Sequence, residues 1–353
     1  MQIASFRPSL PDSKKISIPK SFFTTVKEQY VEYRDSGYFE QADQDQVLIY
    51  DITLNGQVHT GFICCIDSRE ITNGNIIRHE NTLKEKEVMM MKLIKERQAN
   101  IKPILLTIPN SKNIDKWVKS NRHKDTISYA YGKSELHTLT PVSDKKAVKE
   151  IVALFDKEVP KAYIADGHHR CFSIDYLIEK DPVKYGKVLV VFFPFSDLMI
   201  KPYNRIVEFD DKMSASALVK ILKPFVKVVQ VKDFKQSDTR KRFYIYIESK
   251  WYSCTWKKSL LERIDGGSLD LFNHHILNDG FYRHSHHTHY IQGDTEISQV
   301  VKTVNKIGNS AGFFFAPLTY ARLINVLDRG NLVVPKSTYF EPRMRNGIVV
   351  QNL

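Results

Sequence analysis

Apolar and polar residues alternate through QVLIYDITLNGQVHTGFICCI, residues 46–66, on both sides of Asn55-Gly56. A period of two belongs to a strand, and Asn-Gly supplies the positive φ values of a type I′ turn, so the segment predicts a β-hairpin. Over residues 84–99, KEKEVMMMKLIKERQA, the period becomes helical. Val88, Met91, Ile94 and Lys95 share a face, charges occupy the others, and the methionines are expected as core filling. A strand at 103–108 and a helix at 144–155 with Asp144 as N-cap come next. KAYIAD, residues 161–166, reads as a short buried strand, and Phe172, Ile174, Leu177 and Ile178 then recur at helix-like intervals. Residues 166–170 therefore sit on a strand-to-helix turn. Beyond them the pattern predicts a strand at 187–193, a helix near 214–222, a strand pair in RFYIYIESKWYSCTW, a helix at 296–307 and a buried strand in GFFFAPL. Helices and strands mix without a strict βαβ rhythm, which predicts an α+β (mixed α/β) architecture. The expected organisation is a region 1–200 and a C-terminal region 201–353, or one integrated domain.

With 353 residues, 42% of them hydrophobic, the chain can bury a sizeable core. The longest apolar stretch, VLVVFFPF at 188–195, is interrupted by Pro194 and reads as a buried strand rather than a membrane span. MQIASFRPSL lacks a basic region followed by an apolar one, so a cytoplasmic protein is expected. Cys64, Cys65, Cys171 and Cys254 lack the spacing of a zinc knuckle or a disulfide framework and read as small reduced hydrophobes. The formal charge of +12 favours anionic partners: nucleic acids, anionic lipid surfaces or small phosphorylated molecules. Basic residues are scattered, with a local run DTRKRF at 238–243 and no long basic tail. A solvated charged face is thus favoured over a nucleic-acid footprint.

The densest chemistry lies in YIADGHHRC. A strand-to-helix turn aims free backbone N–H groups and the positive end of a helix dipole outward, which makes an anion site. Gly167 permits close backbone approach or a positive φ, Arg170 offers a fork for phosphate oxygens, and His168 and His169 can donate to anionic oxygens or shuttle protons. Asp166 is a candidate Mg²⁺ ligand or a group orienting one imidazole. The plainer reading makes Asp166 an N-cap with two surface histidines beside it, leaving the His-His-Arg run unexplained. In IIRHENT, Glu80 is a candidate general base and Arg78 a second phosphate clamp, with His79 between them; a charged helix N-terminus explains the same residues.

Two further stretches carry polar chemistry. HHILNDGFYRHSHHTHY holds His274, His275, His284, His286, His287 and His289, read as a histidine-rich loop that is exposed, binds phosphate or holds zinc. In VVPKSTYFEPRMRNGIVV, Lys336, Ser337 and Thr338 suit phosphate binding, although the glycines of a P-loop are missing; a β-bridge with exposed hydroxyls fits as well.

IIRHENT, YIADGHHR, HHIL, HYIQGD and PKSTYFEPR occur in an order that resembles a bacterial and archaeal family known as domain of unknown function 1015 and described as serine-kinase-like. The likeness runs from SFRP to NGIVV, nearly the whole chain. ADGHHR also looks like the His-Arg phosphate box of the ParB/sulfiredoxin superfamily, which contains the archaeal free-serine kinases, and it implies a ParB/sulfiredoxin-like core. The resemblance implies phosphoryl transfer from ATP or ADP to free L-serine, giving O-phospho-L-serine, with Mg²⁺. It places the nucleotide phosphates at Gly167, His168, His169 and Arg170, an acidic base at Glu80, and Mg²⁺ or an orienting role at Asp166. Arg78, His79, Lys336, Ser337 and Thr338 are expected near phosphate, and Arg205 and His275 near the substrate. Two departures stand out: VMMM at 88–91 replaces a polar pair, and PYNR at 202–205 replaces a Thr-His-Arg version while keeping Arg205. Hydrolysis of phosphoserine and a ParB-like nucleotide-gated DNA-binding protein are the alternatives, the latter lacking a recognisable basic recognition helix.

Overall fold

A computed structural model describes every residue except 238, 263–265 and 282, so the first residue of the basic run at 238–243 lies outside the described residues. The chain forms two compact units, Met1–Leu198 with Pro342–Leu353, and Met199–Glu341. Each is a mixture of helices and β-sheet, the mixed α/β class expected.

The first unit is built on a nine-stranded mixed sheet. Its centre is the predicted hairpin, Val47–Leu54 and Gln57–Asp67, turned by Asn55 at φ 51° and Gly56 at φ 84°. Gln57–Asp67 pairs with Lys187–Pro194, which runs parallel to Ile104–Ile108; that strand in turn pairs antiparallel with Ala162–Asp166. Helices cover one face. Trp117, Ile151, Phe155, Ile174 and Leu177 come from three of them and bury against Phe62, Leu106, Val190 and Phe192 of the sheet. Asp144 caps the helix Lys145–Glu158 through the Ala147 N–H at 2.8 Å.

The methionine-rich helix, Lys84–Arg97, sets its inward face one residue away from the expected one. Glu87 and Ile94 are buried, Met90 and Met91 pack against the core, and Val88 and Met89 are exposed. A carboxylate sits inside because it is paired: the Thr82 hydroxyl donates to Glu87 Oε1.

The second unit centres on a six-stranded antiparallel sheet that includes Arg242–Ile247, Ser310–Phe314, Asn204–Phe209 and, at its edge, His286–Ile291. Part of the expected histidine-rich loop is therefore this edge strand. Its alternating side chains pair with Asn204–Phe209, and His289 Nε2 lies 2.9 Å from Glu208 Oε2. His274 and His275 belong to a π-helix, Phe272–Gly280. Among the described residues no helix is long and apolar enough to cross a membrane.

Candidate active site

The box forms where Ala162–Asp166 passes into the helix His168–Lys180. The strand's pairing with Ile104–Ile108 shifts register between Ile164 and Asp166, and Gly167 turns the chain as helix N-cap at φ 102°. A side chain there is doubly excluded. The φ value is left-handed, and a Cβ would stand 2.5 Å from Arg170 Nη2, so the guanidinium lies directly over the glycine backbone.

Asp166 is not the helix cap. Its carboxylate is enclosed by cations: Arg170 Nη2 at 3.1 Å and Lys102 Nζ at 3.3 Å from Oδ2, and Arg343 Nη1 at 4.0 Å from Oδ1. Burial alone would raise its pKa, but Lys102, Arg170 and Arg343 outweigh it and hold the carboxyl far below the usual range. Burial also pulls Lys102 below the ordinary lysine value, with Asp166 opposing. Three cations against one carboxylate leave a net positive cluster beside a helix N-terminus, an arrangement suited to phosphate oxygens. It does not suit a divalent cation, which would meet three positive charges on approaching Asp166, so the expected Mg²⁺ role of this residue does not fit. Arg170 also donates to the Pro103 carbonyl at 3.2 Å, and its Nε is buried without a hydrogen-bond partner.

The residues of IIRHENT reach the same place. Ile76–Ile77 pairs parallel with Ala162–Asp166, which delivers His79 and Glu80 to the head of the helix. His79 Nδ1 lies 2.7 Å from the Ile164 carbonyl, and its ring meets His168 edge-on with centroids 4.3 Å apart. The His79 backbone N–H donates to His168 Nε2 at 3.5 Å, which leaves the His168 proton on Nδ1, facing Glu80 Oε1 at 3.7 Å. His169 Nε2 accepts from the Leu83 N–H at 3.3 Å, tying the start of the methionine-rich helix to the box. That nitrogen is an acceptor here, not a phosphate donor. Arg78 is exposed and lies over the Phe172 ring at 4.8 Å.

Burial holds both His79 and His168 below the ordinary histidine range; Glu80 opposes this for His79, and His79 reinforces it for His168. Each therefore holds a proton less readily in the folded protein than in the unfolded chain, where it takes one near its reference value of about 6.5. The unfolded state therefore binds more protons below that pH, and stability falls as pH drops. The melting temperature is expected to be lower by several degrees at about pH 5 than at about pH 7.5, with a shallower dependence in His168→Gln. Thermal melts across that range check this, and a flat profile, or one unchanged by the substitution, would count against it. Asp166 adds little in this window, since its depressed pKa contributes stability that is lost mainly as pH falls through the unfolded carboxylate value of about 3.9.

Beside the box, a cavity of about 530 Å³ is lined by Tyr30, Met89, Met90 and Leu93, with Lys102 and Arg170 also in its wall. Two of the three cations around Asp166 thus border a largely apolar space, with Lys27, Glu28, Glu96 and Arg97 also in its wall, of the size that takes a nucleoside. Lys102 carries no signal in the sequence, where it stands as one lysine before a predicted strand.

The remaining candidates lie in the second unit. Arg205 is fully buried; Nη1 donates to the Asn204 carbonyl at 3.2 Å and Nη2 to the Lys336 carbonyl at 2.9 Å, with Tyr290 stacked at 4.4 Å. Burial draws it down to about 10. Lys336 is exposed at φ 59°, and Ser337 and Thr338 are buried rather than displaying their hydroxyls. Thr338–Glu341 pairs with Met199–Pro202. Arg205 and the PKST segment are thus brought together, while His275 packs elsewhere, against Phe225 and Trp256.

The family described as protein of unknown function (DUF1015) matches residues 6–276, and the chain belongs to that family. Among solved structures, a free serine kinase in complex with AMP is similar at 13% identity and TM-score 0.41, covering 79% of this chain and 86% of its own. A variant of free serine kinase in complex with ADP gives 11%, 0.40, 79% and 87% for the same quantities. SbnI with a C-terminal truncation, from Staphylococcus aureus, gives 13%, 0.44, 80% and 85%. No curated protein matches the chain.

Proposed function

We propose that this chain is a phosphotransferase that moves the terminal phosphoryl group of ATP or ADP to the hydroxyl of free L-serine. The observation that carries the reading is the cluster of Lys102, Arg170 and Arg343 at the N-terminus of His168–Lys180, two of whose members, Lys102 and Arg170, border a largely apolar cavity of nucleoside size. In this reading the adenosine occupies the cavity, and the phosphates lie on Arg170, Lys102 and the backbone at Gly167 and His168. Asp166 does not bind the ligand; it keeps the Arg170 fork and the Lys102 ammonium in place. The serine oxygen forms a bond to the terminal phosphorus, the bridging P–O bond breaks, and the hydroxyl proton passes to Glu80. His168, buried, stands beside Glu80 with Nδ1 3.7 Å from Oε1. The cations neutralise charge on the transferring group, which is most of what phosphoryl transfer needs from a protein.

The acceptor rests on the motif resemblance, since an anion site beside a general base serves many hydroxyl compounds. The test is mass-spectrometric: protein, nucleotide and L-serine incubated together, against samples lacking one component. Phosphoserine formed only when both small molecules are present supports the reading. Serine released from phosphoserine without nucleotide would replace it with hydrolysis.

A further inference from the structure

The π-helix Phe272–Gly280 carries a second chemical cluster, which the phosphotransferase reading does not use. Hydrogen bonding from i to i+5 widens the turn, so residues four and five positions before Asp279 flank it on one face. These are His275 and His274. Their Nδ1 atoms are 3.3 Å apart, and each faces Asp279 Oδ2, at 3.5 Å from His275 and 3.9 Å from His274. Three donors held by bonds of about 2.0–2.1 Å around one tetrahedral ion stand about 3.3–3.4 Å from one another. Two of the observed separations, 3.3 and 3.5 Å, are close to those edges before any ion is considered, and the third, 3.9 Å, involves the two exposed side chains, His274 and Asp279. His275 is buried at 6% exposure, its ring held between Phe225 and Trp256, so one ligand is fixed in orientation. His274 and Asp279 are exposed, which leaves an approach from solvent.

We propose that His274, His275 and Asp279 form a three-ligand site for a divalent transition metal of the zinc class, with the fourth position open to solvent. Two imidazole nitrogens and one carboxylate oxygen match zinc, cobalt or nickel better than calcium or magnesium, which prefer oxygen alone. Binding needs a lone pair on both Nδ1 atoms, so the ring that carries the proton between them would give it up to solvent and take one on Nε2, both rings staying neutral. The site stands independently of the kinase reading.

The test is titration of the full-length, metal-stripped protein with Co²⁺, read by its visible absorption, and with Zn²⁺, read by calorimetry. One saturating equivalent with four-coordinate cobalt bands is expected. In the His274→Ala/Asp279→Asn double variant, whose changes are both at exposed positions, affinity should fall by more than the 10–100-fold typical of losing an outer-shell partner. His274→Ala alone serves if the double variant melts abnormally. No saturable equivalent in the wild-type protein, or equal binding in the variants, as from the histidines of His286–Ile291, would overturn the assignment.

Discussion

Glu80→Gln is expected to lower turnover by about 10²–10⁴-fold while leaving nucleotide affinity nearly unchanged. The amide keeps the shape of the side chain and its place beside His168 Nδ1, but it cannot accept the serine proton. Steady-state rates and a separate nucleotide titration check the two halves of the expectation. Wild-type turnover in a folded variant would remove Glu80 as the base. Equal losses in turnover and nucleotide affinity would instead place it in binding.

Arg170→Ala acts on the other half of the site. Its guanidinium lies over Gly167, meets Asp166 at 3.1 Å and borders the cavity, so the substitution removes the proposed phosphate fork and one of three cations around Asp166. Truncating one partner of a desolvated charge pair costs roughly 2–5 kcal/mol, which corresponds to a loss of about 30-fold or more in nucleotide affinity. Arg170→Lys keeps the charge without the planar fork and should recover only part of that loss. Calorimetric titration with ADP, beside a thermal melt, measures both. Unchanged affinity in a folded Arg170→Ala protein would move the phosphate site away from the box.

Local patterns made much of this architecture readable. Asn55-Gly56 specified the hairpin through φ, Asp144 marked its helix start by capping, and KAYIAD followed by HRCFSIDYLIEKD located the strand-to-helix turn that carries the box. Features set by distant pairing were not readable. Lys102 reaches Asp166 because two strands lie side by side, and Arg343 reaches it because Pro342–Leu353 returns to the first unit, where Gln351–Asn352 pairs with Ala99–Asn100. No local period announces either contact. The same cations explain why Asp166 is a compensated, half-buried carboxylate rather than the cap or metal ligand that its position before a helix suggested. The histidine-rich stretch misled for a different reason: an edge strand with polar side chains on both faces has no apolar alternation to betray it.

The most direct measurement is phosphorus NMR of the purified protein with Mg²⁺ in the buffer, L-serine and either ATP or ADP, beside samples lacking serine or lacking nucleotide. A new phosphomonoester signal that grows with loss of the nucleotide's terminal phosphate, and only when serine and nucleotide are both present, is the predicted result. Nucleotide left intact in every sample, or phosphate released at the same rate without serine, would contradict it.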